Sequence, residues 1–260
     1  MRWARCEGDG NVFFGVVSGD EVQEVAGTPF AAHRMTGNRY PLRSVKLLVP
    51  VIPPTFYAAG LNYVEHIKAQ AAGQGQQPKI PQKPDIGYRA VNALIATEEP
   101  VIIPRDAGER VQYEAELVVV IGKQAKHLSE AEALSCVFGY TIGNDVSERD
   151  WQASDRTLWR AKNTDTWKPM GPWIETDVRL ESLRTIVRVN GKTTLEFPTN
   201  HMLFSVPQYI SAMTRYVTLY PGDVIWMGTE GASPNLKAGD VCEIEIVGIG
   251  TLRNAFVAES

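Results

Sequence analysis

Cysteine is scarce in this chain and long apolar runs are absent from it. The three cysteines, Cys6, Cys136 and Cys242, form no CxxC motif and cannot all pair with one another. That favours a reducing compartment, with cysteine serving as a small core residue. No 18-residue apolar run occurs, so no membrane-spanning helix is expected. The first residues, Met1 to Asp9, lack the continuous apolar stretch of a signal peptide. Neither sign of charge dominates: 26 Lys and Arg against 30 Asp and Glu leave a net charge of −4, which argues against nucleic acid as the main partner. No internal repeat of 20–50 residues is visible. What remains is a soluble, cytoplasmic protein of 260 residues, enough for one large or two modest domains.

The pattern along the chain is mostly β. Val12 to Val17, then Ser18-Gly19-Asp20-Glu21-Val22, reads as a hairpin around a Gly-Asp turn. Leu47 to Ile52 reads as a short strand closed by Pro53-Pro54, which divides a small N-terminal β-rich module (1–52) from the remainder (53–260). Phe56 to Tyr63 reads as a strand and Val64 to Ala72 as a short helix. The polar stretch Gly73-Gln74-Gly75-Gln76-Gln77-Pro78 cannot bury itself and is expected at the surface as a loop. A helix is expected to start at Ser129, with Glu132 three residues on as in a capping box. Val137 to Gly143 is strand material, part of 147–158 and of 202–216 is helical, and strands return over 185–190, 223–227 and 241–247. The fold class expected is α+β, mostly β with short helices.

Two acids stand out at the mouth of the apolar run Val118-Val119-Val120-Ile121: Glu114 and Glu116. Along a strand, residues i and i+2 share a face, with Cα atoms about 6.6 Å apart. Two like charges that close in a core need neutralising, and a hard divalent cation does so directly. A solvated strand end is the competing reading. Asp145, after one strand and before a helix, would complete an all-oxygen set suited to Mg²⁺ or Mn²⁺; taken alone it reads rather as a helix N-cap. His66 alone reads as an ordinary core or surface histidine. Trp151, Trp159, Trp167 and Trp173 cluster around these segments, and core packing is favoured over a substrate-stacking wall.

Taken together and in order, several segments resemble the fumarylacetoacetate hydrolase family. They are Gly60-Leu61-Asn62-Tyr63-Val64-Glu65-His66, Glu114-Ala115-Glu116, Gly143 to Asp150, Arg160-Ala161-Lys162, Met170-Gly171-Pro172-Trp173-Ile174, the Asn190-Gly191 turn and Gly228-Thr229. The match covers about residues 55 to 250. The resemblance implies a mixed β-roll or β-sandwich core, usually in a homodimer. It also implies a divalent metal (Mg²⁺ or Mn²⁺, with Ca²⁺ as a further candidate) on Glu114, Glu116 and Asp145, and a small 2-oxo or diketo acid as substrate.

The residue types suit that chemistry. A metal can stabilise the enolate that forms when a C–C bond next to a carbonyl breaks. His66 is the candidate base for activating water, and Lys162 the candidate partner of an enolate or oxyanion. Arg149 and Gln152, one helical turn apart, suit a distal substrate group. The resemblance places Thr229 beside the substrate carboxylate and Arg89 in a substrate-recognition element. Two departures are visible. Position 69, where many acylpyruvate-cleaving members carry a glutamate that orients the histidine, is Ala69. The frequent Phe-Lys-Pro element reads Tyr88-Arg89-Ala90, which keeps the charge but changes its geometry. C–C hydrolysis is therefore the leading expectation. Isomerisation, decarboxylation or hydration of a 2-hydroxy-dienedioate or 2-oxo-enoate is the alternative, and a non-catalytic binding protein the third.

Overall fold

The structure, a computed structural model, describes residues 1–73, 75–231 and 234–260. The chain opens with β1 (Arg2–Gly8), β2 (Asn11–Ser18), β3 (Glu21–Ala26), β4 (Arg34–Pro41) and β5 (Lys46–Leu48). Then come β6 (Phe56–Ala59), helix α1 (Val64–Gly73), β7 (Ile86–Tyr88), β8 (Leu94–Ile95), β9 (Val101–Ile103), β10 (Val111–Gln112) and β11 (Ala115–Ile121). The middle of the chain contains β12 (Val137–Asn144), β13 (Ser147–Glu148), α2 (Arg149–Ser154), α3 (Trp159–Asn163) and β14 (Lys168–Glu175). It closes with β15 (Arg184–Val189), β16 (Lys192–Pro198), α4 (Val206–Thr214), β17 (Val224–Trp226), β18 (Val241–Ile246) and β19 (Gly250–Ala258). This is the mostly β, short-helix architecture read from the sequence.

Among the described residues the strands form one large sheet, ordered β4-β3-β2-β1-β14-β12-β11-β17-β6-β7 with β5 beside β1 and β8 beside β14, a two-stranded β10–β13 ladder, and a five-stranded sheet, β16-β15-β18-β19-β9. The expected hairpin is the β2–β3 pair, turning at Gly19-Asp20. The N-terminal strands join the large sheet where β1 pairs antiparallel with β14, Trp3 opposite Ile174.

Strand β11 shows why the sequence carries an unbroken apolar run there. Leu117, Val119 and Ile121 pack with Val187, Ile244, Leu252 and Phe256 of the second sheet. The alternate residues Val118 and Val120 pack with Trp3, Met170, Ile174 and Trp226. A strand covered on both faces loses the polar–apolar alternation of a half-exposed one. Glu116 lies on the Val118–Val120 face, at the end where the apolar packing stops.

Several expected boundaries move. The strand expected over 47–52 ends at Leu48, because Pro50 offers no N–H to a ladder, although Val49, Pro50 and Val51 stay buried. The strand expected over 56–63 stops at Ala59. The helix expected from Ser129 does not form. Both the backbone N–H and the hydroxyl of Ser129 donate to Glu132 Oε2, at 3.0 and 2.6 Å, yet only a single 3-10 turn, Ala133–Cys136, follows. Only half of the capping box is made, since the Ser129 hydroxyl donates to Glu132 while the Glu132 N–H donates to Ser129 O, and β12 begins at Val137 and leaves no room for an α-helix. Helix α4 does form, closed by a capping box between Ser205 and Gln208. Of the polar surface stretch, Gln74 lies outside the described residues, and 75–80 are exposed.

One glycine controls how closely the sheet can pack behind the acidic residues. Gly143 faces Glu116 across the β11–β12 ladder, and a Cβ there would lie 2.6–2.8 Å from the fully buried Trp226 ring. Gly143→Ala is therefore expected to destabilise the fold by about 1–3 kcal/mol, the usual cost of overpacking. The midpoint of chemical unfolding measures this; an unchanged midpoint would show that the ring can move aside.

Candidate metal and active site

Glu114 and Asp145 meet because of the β11–β12 register. Ala115 lies opposite Asn144, and the chain on either side is clamped. The backbone N–H of Asp145 donates to Glu114 O at 2.9 Å, and that of Glu114 donates to Asn144 Oδ1 at 3.0 Å. Glu116, two residues further, turns to the same side. One oxygen from each of Glu114, Glu116 and Asp145 lies within 4.8 Å of the others, and all three residues are buried. The solvated-strand-end reading is thereby excluded. So is the helix-cap reading of Asp145: the N-cap of α2 is Glu148, whose Oε2 accepts from Trp151 N–H.

Cations from separate segments surround the trio. Lys162, on α3, donates to Glu114 Oε2 at 2.6 Å and to Asp145 Oδ2 at 3.1 Å. Arg149, at the start of α2, donates from Nη1 to Glu114 Oε1 at 2.6 Å and to Gln152 Oε1 at 2.7 Å, and from Nε to Gln112 Oε1 at 2.7 Å. Its Nη2 is buried and has no hydrogen-bond partner among the described residues. Arg89, just past β7, donates to Asp145 through Nη2 at 2.8 Å and Nε at 3.2 Å. Lys168, the first residue of β14, reaches Asp145 Oδ1 at 2.8 Å. Among the described residues Glu116 has no cation in contact: its Oε2 accepts from Gly228 N–H at 2.7 Å.

The asymmetry sets the acidities. Burial favours the neutral carboxyl at all three positions. At Asp145 the charges of Arg89, Lys162 and Lys168 outweigh burial and hold the group well below the usual carboxylate range. At Glu114 burial is likewise outweighed, here by Lys162 and Arg149. At Glu116 burial is reinforced by the Asp145 and Glu114 charges, which push it up to about 8.

The other residues singled out in the sequence take up definite places. His66, on the first turn of α1, brings Nε2 to 4.0 Å from Glu114 Oε1. Burial holds its imidazole below the ordinary value, Arg149 and Lys162 act in the same sense, and Glu114 opposes them. Asn62 fixes the chain entering α1, donating to Met227 O at 2.9 Å and Phe204 O at 3.1 Å while accepting from Phe204 N–H at 2.9 Å. Thr229 is buried and donates to Gly231 O at 3.0 Å. Arg89 spends its guanidinium on Asp145 and on Tyr88 O. Of the tryptophans, Trp151 and Trp167 are buried and stacked with centroids 5.8 Å apart, as core packing requires, whereas Trp159 is 67% exposed. Lys168 was missed in the sequence; a lone lysine before Pro169 carries no signal of burial. A cavity of about 600 Å³ between 82–88 and α4, lined by Tyr57, Tyr88, Phe204 and Tyr216 among others, includes none of the three acids.

Three carboxylates, offering oxygen donors alone, suit a hard divalent ion. The acid without a cationic partner, Glu116, is the one whose ionisation such an ion would restore.

Comparison with known proteins shows the family. A family model described as fumarylacetoacetate (FAA) hydrolase, C-terminal, matches residues 55–257, and one described as Rv2993c-like, N-terminal, matches residues 1–50. The chain belongs to the fumarylacetoacetate hydrolase family. It is 37% identical over 270 residues to Protein Rv2993c of Mycobacterium tuberculosis (strain ATCC 25618 / H37Rv), covering 99% of this chain and 98% of that one. It resembles the crystal structure of 5-carboxymethyl-2-hydroxymuconate delta-isomerase from Mycobacterium smegmatis with a TM-score of 0.90, at 36% identity and full coverage of both chains. It also resembles maleylpyruvate hydrolase from Sphingobium sp. SYK-6, solved with manganese(II) ion and pyruvate, with a TM-score of 0.80 at 26% identity and full coverage of both. Other relatives are named as an oxaloacetate tautomerase, an isomerase/decarboxylase and a hydrolase. No described helix is long and apolar enough to cross a membrane.

Glu116 binds its proton more tightly folded than unfolded, so the stability it contributes is full below its ordinary value of 4.5 and is lost as pH rises through about 8. Glu114 and Asp145, depressed in the fold, act oppositely: their contribution is present above the ordinary range and is lost as pH falls through their lowered values. In EDTA, wild type is therefore expected to lose melting temperature relative to Glu116→Gln as pH rises from about 5 to about 9. Parallel thermal melts check this; a constant difference between the two proteins would contradict the crowding of the trio.

Proposed function

We propose that this chain is a divalent-metal-dependent hydrolase that cleaves a C–C bond in an acylpyruvate- or fumarylpyruvate-like diketo acid. The observation that carries the reading is the buried convergence of Glu114, Glu116 and Asp145 around Lys162. Those three acids would hold Mg²⁺, Mn²⁺ or Ca²⁺, which would supply Lewis-acid polarisation of the substrate's 2-oxo group.

The chain's own residues would do the rest. Water adds to the distal carbonyl carbon, the bond from that carbon to the central methylene breaks, and its electron pair becomes the enolate of a 2-oxo acid. Buried His66, whose pKa burial holds below the ordinary imidazole value, would be the neutral base that takes the proton from water. The Lys162 ammonium would face the developing oxyanion. Arg149 would offer its unpartnered Nη2 to the distal carboxylate, with Gln152 holding the guanidinium in place. Thr229 and Arg89 would border the 2-oxo acid end, Arg89 by fixing Asp145. A homodimer in the cytoplasm is part of the same proposal.

Isomerisation is the second reading, and a specific feature favours it. One turn along α1 from His66 stands Ala69, so the histidine has no carboxylate of its own helix to orient it for water activation. Moving a proton between carbons needs no attacking water. Incubating the protein with a panel of 2-oxo and diketo acids plus Mg²⁺ or Mn²⁺, followed by mass spectrometry, separates the two. Two shorter acids indicate hydrolysis, and a product of unchanged mass indicates isomerisation. Turnover that is unaffected by EDTA, or no turnover on any member, would overturn the proposal.

Two substitutions divide the labour further. Glu116→Ala is expected to abolish metal binding and activity together. Lys162→Met is expected to keep the metal and lose on the order of 10²-fold or more in kcat, the usual effect of deleting one electrostatic contact to a transition state. Wild-type turnover in Lys162→Met would remove that residue from the chemistry.

A further inference from the structure

Lys168 is the one group at the site for which the proposed reaction has no use. It is fully buried, and its Nζ makes three contacts: Asp145 Oδ1 at 2.8 Å, Val146 O at 2.8 Å and Trp167 O at 2.9 Å. All three partners are acceptors. A neutral amine has only two hydrogens to give, so satisfying three acceptors requires the ammonium form. The side chain cannot swing away without stranding two backbone carbonyls in the core. Unlike Lys162, which bridges two carboxylates, Lys168 has no second acid to serve.

Its charge changes the balance of the site. Among the described residues, three carboxylates are met by four cations, Arg89, Arg149, Lys162 and Lys168. Asp145 alone touches three of them. A divalent ion entering this site therefore meets a carboxylate already compensated, with a fixed positive charge behind it. The attraction of Asp145 for the ion is offset by repulsion from an ammonium that cannot leave.

We infer that Lys168 is a positioning residue that fixes the Asp145 carboxylate and, through its buried charge, keeps divalent-metal binding weak and exchangeable. The inference rests on the proposed metal site. Removing the charge should therefore tighten binding, where loss of a merely structural contact would loosen it.

Free Mn²⁺ measured by electron paramagnetic resonance reads the affinity directly, without any substrate. Lys168→Gln, which keeps donors for the backbone carbonyls, is expected to bind Mn²⁺ about tenfold or more tightly than wild type, since a unit charge in direct contact with a ligand acts at short range. Lys168→Arg is expected to stay near the wild-type affinity. Lys168→Met tests the same point if the glutamine variant does not accumulate folded. Binding that is unchanged or weaker in a folded, uncharged variant, while wild type binds, overturns this inference alone. Binding absent from wild type and variants alike overturns the metal site and the inference together.

Discussion

Repulsion among three buried carboxylates is the constraint around which this part of the molecule is organised. Acidic oxygens within 4.8 Å of one another repel by roughly 3–4 kcal/mol per pair at an effective dielectric near 20. Such an arrangement survives only with compensating charge nearby. The fold brings it from four places: the end of β7, the start of α2, α3 and the start of β14. Each of those elements is anchored elsewhere, so the compensation is built into the backbone rather than borrowed from mobile surface side chains. Glu116 is the acid left over, and burial together with the Asp145 and Glu114 charges raises its pKa, the sign of positive charge still wanting.

The surroundings explain why so costly a cluster can persist. Strand β11 is packed on both faces, and the Asn144 side chain together with the Asp145 backbone fixes the turn of chain beside Glu114. Asn62 ties the start of α1, and with it His66, to Met227 just past β17, next to Gly228. The site is thus held by strands and short clamps, with few free loops close to the carboxylates. Rigid placement of this kind suits electrostatic chemistry, since prearranged charges need not reorganise as a reaction proceeds.

Much of this was legible in the residues. The two-residue spacing of Glu114 and Glu116 beside a β-branched run places both on one face, and the strand pairing brings Asp145 to them. Position 145 alone reads as a helix N-cap, and the identity of the actual cap, Glu148, overturns that. Other features depend on contacts distant in sequence and left no local trace. Lys168 looks like any lysine before a proline; its burial comes from β14 lying parallel to β8 and close behind Val146. The segment after Ser129 shows the reverse case. There the capping residues are present and make one of their two reciprocal contacts, yet the next strand begins too soon for a helix to grow.

Membership of the fumarylacetoacetate hydrolase family, with relatives named for hydrolysis, isomerisation, decarboxylation and tautomerisation, leaves the metal site as the feature on which every reading of the chemistry turns. Anomalous X-ray diffraction from crystals grown with Mn²⁺ tests it most directly. The account predicts one strong anomalous peak bound by carboxylate oxygens of Glu114, Glu116 and Asp145. No peak at those residues, with Mn²⁺ bound elsewhere or nowhere, would contradict it.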